Sequence, residues 1–89
     1  MESACNTDVV YLGLNYHVQT EDWGERNPFI VTKVFKSGAV LLNVKTPYES
    51  IQQTNPASGQ LAIRLGMREQ HQKILDQLVA GTLFEHSIK

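Results

Sequence analysis

The chain is short of most features that build catalytic, targeting or disulfide-stabilised proteins. It holds one cysteine, Cys5, in 89 residues. That rules out an internal disulfide or a thiolate metal cluster within one chain and makes a reducing compartment the simpler setting. No apolar run approaches the roughly 18 residues of a membrane-spanning helix, and the opening MESACNTDVV has neither a basic nor an apolar signal-peptide region. A cytoplasmic location with no membrane partner is therefore expected. A surplus of one charge is missing too: the formal net charge is −1 at pH 7, so no global positive field draws the chain to nucleic acid, and a nucleic-acid partner is not expected. GxGxxG, a P-loop and a GxSxG serine are all absent, which removes the common phosphate cradles and the nucleophile elbow.

What is present is ordinary globular composition, 42% hydrophobic and 19% charged, in one domain spanning residues 1–89. Residues 1–8 are small and polar and are read as a flexible lead. From Val9 to Thr20 apolar and polar residues alternate: Leu14, Tyr16, Val18 and Thr20 against Asn15, His17, Gln19 and Glu21, the period of a half-buried strand, with Gly13 as a bulge. EDWGERNP reads as a loop. Phe29 to Lys36 forms a second strand, Ser37-Gly38 a hairpin turn, and Ala39 to Lys45 a third with Val40, Leu42 and Val44 on one face. The expectation over 9–45 is a three-stranded antiparallel β-meander.

At Thr46 the pattern changes. TPYE has the form of a capping box with proline at the first helical position, predicting a short helix over 47–54. Asn55-Pro56 must interrupt it. Asn55 or Ser58 then caps a long helix over 56–80 that Gly81 ends, leaving 82–89 as a tail. At 100° per residue, Leu61, Leu65, Met67, Ile74, Leu75, Leu78 and Val79 fall in one broad half, with Gly66, Glu69, Gln70, Lys73, Asp76 and Gln77 opposite. The fold class is thus α+β, the long amphipathic helix packing on the sheet, with surplus apolar helix surface left for a second subunit.

Ionisable groups give no convergent site. His17 and Glu21 share a strand face but lie about 13 Å apart at 3.3 Å per residue, too far to hold one zinc ion. No metal, cofactor or catalytic residue is assigned. Trp23 is read as closing one end of the core, with partner contact as the alternative. Arg64, Arg68, His71 and Gln72 share a helix face, where the two guanidinium groups could grip a phosphate or carboxylate. Their stems could equally pack at the edge of the apolar stripe.

The segments RLGMR and NPASG resemble the RxxxR and NxSxxG elements of PilZ domains. Their order is reversed here and both lie in the helical half, so cyclic di-nucleotide binding is not carried over. YHVQTED, NPFIVT and the KTPY exit resemble a group of small uncharacterised bacterial proteins sharing this β-rich first half; the resemblance covers about residues 10 to 50 and implies no activity, cofactor or site. The function expected is a non-enzymatic bacterial interaction or adaptor module that binds an unidentified protein and forms a homodimer. Its candidate partner contacts are Trp23, Arg64, Arg68 and His71, and its candidate self-association residues are Leu75 and Leu78. The alternatives are a small anionic ligand or nucleotide sensor using Arg64 and Arg68, and a hydrolase using a histidine.

Overall fold

The computed structural model describes residues 4–55, 57 and 59–84. Four strands, β1 (Ala4–Tyr11), β2 (Leu14–Asp22), β3 (Phe29–Lys36) and β4 (Ala39–Pro47), precede two helices, α1 (Tyr48–Thr54) and α2 (Gly59–Ala80). The strands form one antiparallel sheet in the order β1-β2-β3-β4. The meander therefore has four strands where three were expected. Of the segment read as a flexible lead, residues 4–8 belong to an edge strand paired from Ala4↔Glu21 to Tyr11↔Leu14, and residues 1–3 lie outside the described residues. Gly13 is not a bulge but the second residue of a two-residue hairpin turn, with Leu12 at φ 51° and Gly13 at φ 77°. Ser37 and Gly38 make the β3–β4 turn the same way, at φ 53° and 81°. Paired positive φ values match the right-handed twist of flanking strands.

Register assigns each side chain to a face. One row across the sheet is Thr7, Val18, Val34 and Leu42, and the next is Cys5, Thr20, Thr32 and Val44. These rows face the helices, as does Ile30 in the row beyond: Val18, Thr20, Ile30, Thr32 and Val34 are fully buried. The other side carries Asn6, Gln19, Lys33 and Asn43 in one row and Asp8, His17, Phe35 and Val40 in another. Val40 does not share a face with Leu42 and Val44 as simple alternation predicts. Pairing jumps from Val34↔Leu42 to Phe35↔Val40, so Leu41 is an extra residue and the side-chain parity of β4 reverses beyond it.

The expected capping box does not form. Pro47 ends β4 opposite Phe29 and is itself the N-cap of α1, with no side-chain cap bond. The chain enters the helix straight from the sheet edge, and Tyr48 N–H donates to the Pro28 carbonyl at 2.9 Å. Asn55 leaves α1 in an extended conformation and its side-chain oxygen accepts from Ala57 N–H at 3.0 Å. The alternative cap, Ser58, lies outside the described residues, as does Pro56. The C-terminal reading holds. Gly81 sits at φ 77°, its N–H donates to the Leu78 carbonyl at 3.2 Å, and Thr82 N–H donates to the Gln77 carbonyl at 3.0 Å. This pair of bonds defines a Schellman cap.

Helix α2 buries Ala62, Ile63, Gly66, Met67, His71, Ile74 and Leu78, a stripe rotated from the expected half. Gly66, which the helical wheel set opposite the apolar half, is where α1 packs. Leu61, Leu65 and Val79 are exposed instead. Two apolar clusters result. Val18, Val34, Ile74 and Leu78 form one, joined by the partly buried Leu75 and Leu83. Ile30, Ile51, Ile63 and Met67 form the other, joined by Tyr48.

Candidate interaction surfaces

Between the two apolar clusters runs a polar layer that fixes α2 on the sheet. His71, only 7% exposed, lies within 2.7 Å of Thr20 Oγ1 through Nδ1 and 2.8 Å of Thr7 Oγ1 through Nε2. Thr20 and Thr32 hydroxyls share a 2.7 Å bond. Gln70 Nε2 donates to Thr32 Oγ1 at 2.9 Å and to the Val44 carbonyl at 3.4 Å. The amide end of Gln70 is a pure donor, which orders the protons. Gln70 donates to Thr32, Thr32 to Thr20, Thr20 to the bare Nδ1 of His71, and His71 Nε2–H to Thr7. One helix is thereby tied to all four strands. Among the described residues no buried side-chain nitrogen or oxygen lacks a partner. Burial pushes the His71 pKa below its usual 6.5, with the nearby His17 adding to the shift. His71 is a core residue with both ring nitrogens bonded. Leu78 is likewise buried, and Leu75 packs half-buried on the same cluster. Of the two self-association candidates only Leu75 retains surface.

On the open face of the sheet, His17 Nδ1 stands 2.8 Å from Asp8 Oδ1 and Nε2 stands 3.2 Å from Asn6 Oδ1. Asp8 is the register partner of His17 across β1 and β2, a pairing absent from the three-stranded expectation. Glu21 and Asp22 lie elsewhere. Among the described residues, no group of three or more His, Cys, Asp or Glu side chains converges to hold a metal ion.

Trp23 sits at the far end of the same face and is 38% exposed. Lys45 places its ammonium 5.2 Å from the Trp23 ring centroid and 4.2 Å from that of Phe29, a double cation–π contact. Trp23 Nε1–H also reaches Glu21 Oε1 at 3.4 Å. The tryptophan therefore lies over the sheet's outer surface, opposite the helix-packed core. The adjoining loop is pinned by Asp22, whose carboxylate accepts from Gly24 N–H at 2.9 Å and from the Tyr48 hydroxyl. Burial first, and then this bond to Asp22, pushes the Tyr48 phenol up to about 12. Because the folded value lies above the ordinary 10.0, the stabilisation is complete below pH 10 and fades as pH rises toward 12. Tyr48→Phe should lower stability by about 1 kcal/mol at neutral pH. A urea titration series should show that difference closing in the alkaline range; a difference independent of pH would contradict the assignment.

No family model, curated protein or solved structure matches the chain. Its surfaces must be read from their own geometry. No helix among the described residues is long and apolar enough to cross a membrane. Arg64 and Arg68 lie one turn apart and are exposed on α2. A cleft of about 560 Å³ opens where α2 leaves part of the inner side of β4 uncovered; Leu42, Val44, Ile51 and Ile74 line its apolar part, with Glu69 and Lys73 also contributing.

The most exposed apolar residues occupy two other places. Leu61, Leu65 and Val79 lie along α2, while Val10, Leu12, Leu14, Val40 and Leu41 gather at the end of the sheet where both hairpin turns fall. Leu12 is 81% exposed. Periodicity could not have found this patch, since it is built by two turns 24 or more residues apart in sequence and a bulge just after the second.

Proposed function

We propose that the chain is a non-enzymatic interaction module, a small adaptor that docks a protein partner on the apolar hairpin end of its sheet and also self-associates. The observation that carries this reading is Leu12. It occupies the first central position of a tight hairpin turn at φ 51°, a conformation that disfavours leucine and favours asparagine or glycine. Its side chain is also displayed to water. Neither backbone geometry nor burial accounts for a leucine here, whereas a contact with something outside the chain does. Val10, Leu14, Val40 and Leu41 add further exposed apolar residues at the same end of the sheet. The ring nitrogens of the exposed His17 meet Asp8 and Asn6, and neither partner is a serine or cysteine of the kind a histidine activates in nucleophilic catalysis.

Leu12→Asn creates the Asn-Gly pair that this turn type prefers. Thermal unfolding should show the variant at least as stable as the parent. Affinity capture from a native extract should lose a partner that the parent retains, and the parent's capture should survive high salt, as an apolar contact does. Equal capture by both proteins would refute the docking surface. Capture abolished by salt and by Arg64→Ala with Arg68→Ala would assign the chain instead to recognition of an anionic ligand.

A further inference from the structure

On α2, exposed or half-buried residues outside the core stripe follow one another as Leu61, Leu65, Arg68, Gln72, Leu75 and Val79. The intervals are 4, 3, 4, 3 and 4, the spacing of a coiled-coil seam. This seam is separate from the buried stripe of Ala62, Ile63, Gly66, Met67, His71, Ile74 and Leu78. Leu61 is 50% exposed and Val79 54%, so the apolar ends of the seam face outward from the fold.

We propose that this seam is the self-association surface, and that two copies of the chain pair through α2 in antiparallel orientation about a two-fold axis near Gln70. The inference rests on the self-association part of the function proposed above and names its geometry. A two-fold interface must be self-complementary, and the seam reads the same from both ends. Antiparallel pairing sets Leu61 against the partner's Val79, Leu65 against the partner's Leu75, and Arg68 against the partner's Gln72, then repeats these layers in reverse. The polar layer has matching chemistry. Gln72 Nε2 already donates to Asp76 Oδ1 at 2.9 Å, which leaves the Gln72 amide oxygen to accept from the arginine across the seam, with the Asp76 carboxylate one turn away. Parallel pairing in register would instead stack Arg68 on the partner's Arg68, a like-charge contact. It would also align the two helix dipoles unfavourably. The second copy is thus selected by order of residues and by charge, in addition to apolar exposure.

Complementary substitution at the outermost layer tests the arrangement. Leu61→Glu and Val79→Lys each alter a half-exposed side chain, and each charge suits its end of the helix dipole, so both variants should melt within a few degrees of the parent. Light scattering should give the parent twice the 10.0 kDa chain mass. Each variant alone should associate at least about tenfold more weakly, since it sets charges against apolar partners. An equimolar mixture should recover the dimer, because the new glutamate of one chain meets the new lysine of the other. A monomeric parent would overturn both the seam and self-association. A dimeric parent that either variant leaves unchanged, or variants that fail to complement on mixing, would overturn the antiparallel seam while leaving self-association standing. Either failure leaves the Leu12 docking test unaffected.

Discussion

Replacing His71 with leucine should destabilise the protein by about 2–4 kcal/mol, enough to lower the melting temperature by about 10–20 °C in a domain of this size. The shape of the side chain is roughly kept, so the loss comes from the hydroxyls of the half-buried Thr7 and the buried Thr20, each left without the ring nitrogen it now bonds. Thr20 retains its bond to Thr32, which places the loss below the sum for two wholly orphaned groups. Converting Thr7 to valine in the same background removes one stranded hydroxyl and should recover part of the deficit. The two losses should therefore not add.

The same variant should flatten a limb of the pH profile. The folded protein holds His71 below its ordinary pKa of 6.5, so the unfolded chain binds its proton first as pH falls. Stability from this residue is complete above pH 6.5 and is lost progressively below it, toward the depressed folded value. Protonation also reverses the hydrogen-bond chain. A charged ring donates from Nδ1, Thr20 must then turn its proton to Thr32, and the Thr32 proton loses its place because Gln70 already donates to that oxygen. Denaturant midpoints from pH 7.5 down to about 5 should fall for the parent and stay nearer level for His71→Leu, before the carboxylates begin to titrate. Parallel profiles would sink the assignment.

How far the sequence revealed this molecule depends on whether the signal was local. The β2 and β3 strands, the turn at Ser37-Gly38, the break near Asn55 and the glycine cap at Gly81 each depend on residues close together in the chain, and each emerges in the fold. β1 was concealed by composition. Asn6, Thr7 and Asp8 look like a solvated lead, although Cys5, Thr7 and Val9 already alternate with Asn6 and Asp8 in strand period. Without β1, the partnership of Asp8 with His17 was hidden, and so was the bond from Thr7 to His71. The bulge at Leu41 reversed the face of Val40 through a pairing detail no single-strand pattern carries. The helical stripe was misplaced for another reason: a half-wheel drawn to include Leu61, Leu65 and Val79 necessarily leaves Gly66 on the opposite side. Here α1 comes so close that only Gly66 fits, and Leu61, Leu65 and Val79 are displaced to the far side. The hairpin-end patch demanded the pairing of four strands before its members became neighbours.

Gly66 provides the sharpest test of that reading, because the sign of a substitution there should depend on one other residue. A Cβ added to Gly66 would overlap Ile51 Cγ2 and lie 3.2 Å from Cγ1 and 3.3 Å from Cδ1. Ile51 is buried and sits in the same cluster as Ile30, Ile63 and Met67, so it has little room to move. Gly66→Ala should therefore destabilise the parent, with an overpacking cost of about 1–3 kcal/mol outweighing the gain of about 1 kcal/mol from alanine's helix propensity. Ile51→Ala alone should cost about 2–5 kcal/mol by opening a cavity. In that background the obstructing methyl groups are gone, and Gly66→Ala should become stabilising by about 1 kcal/mol while its new methyl partly fills the space. Denaturant unfolding of the four proteins gives the coupling directly, expected to exceed about 1 kcal/mol in favour of the double variant. If Gly66→Ala had the same effect in both backgrounds, α1 would not be seated on α2 at this glycine, and the rotation of the buried stripe would need another cause.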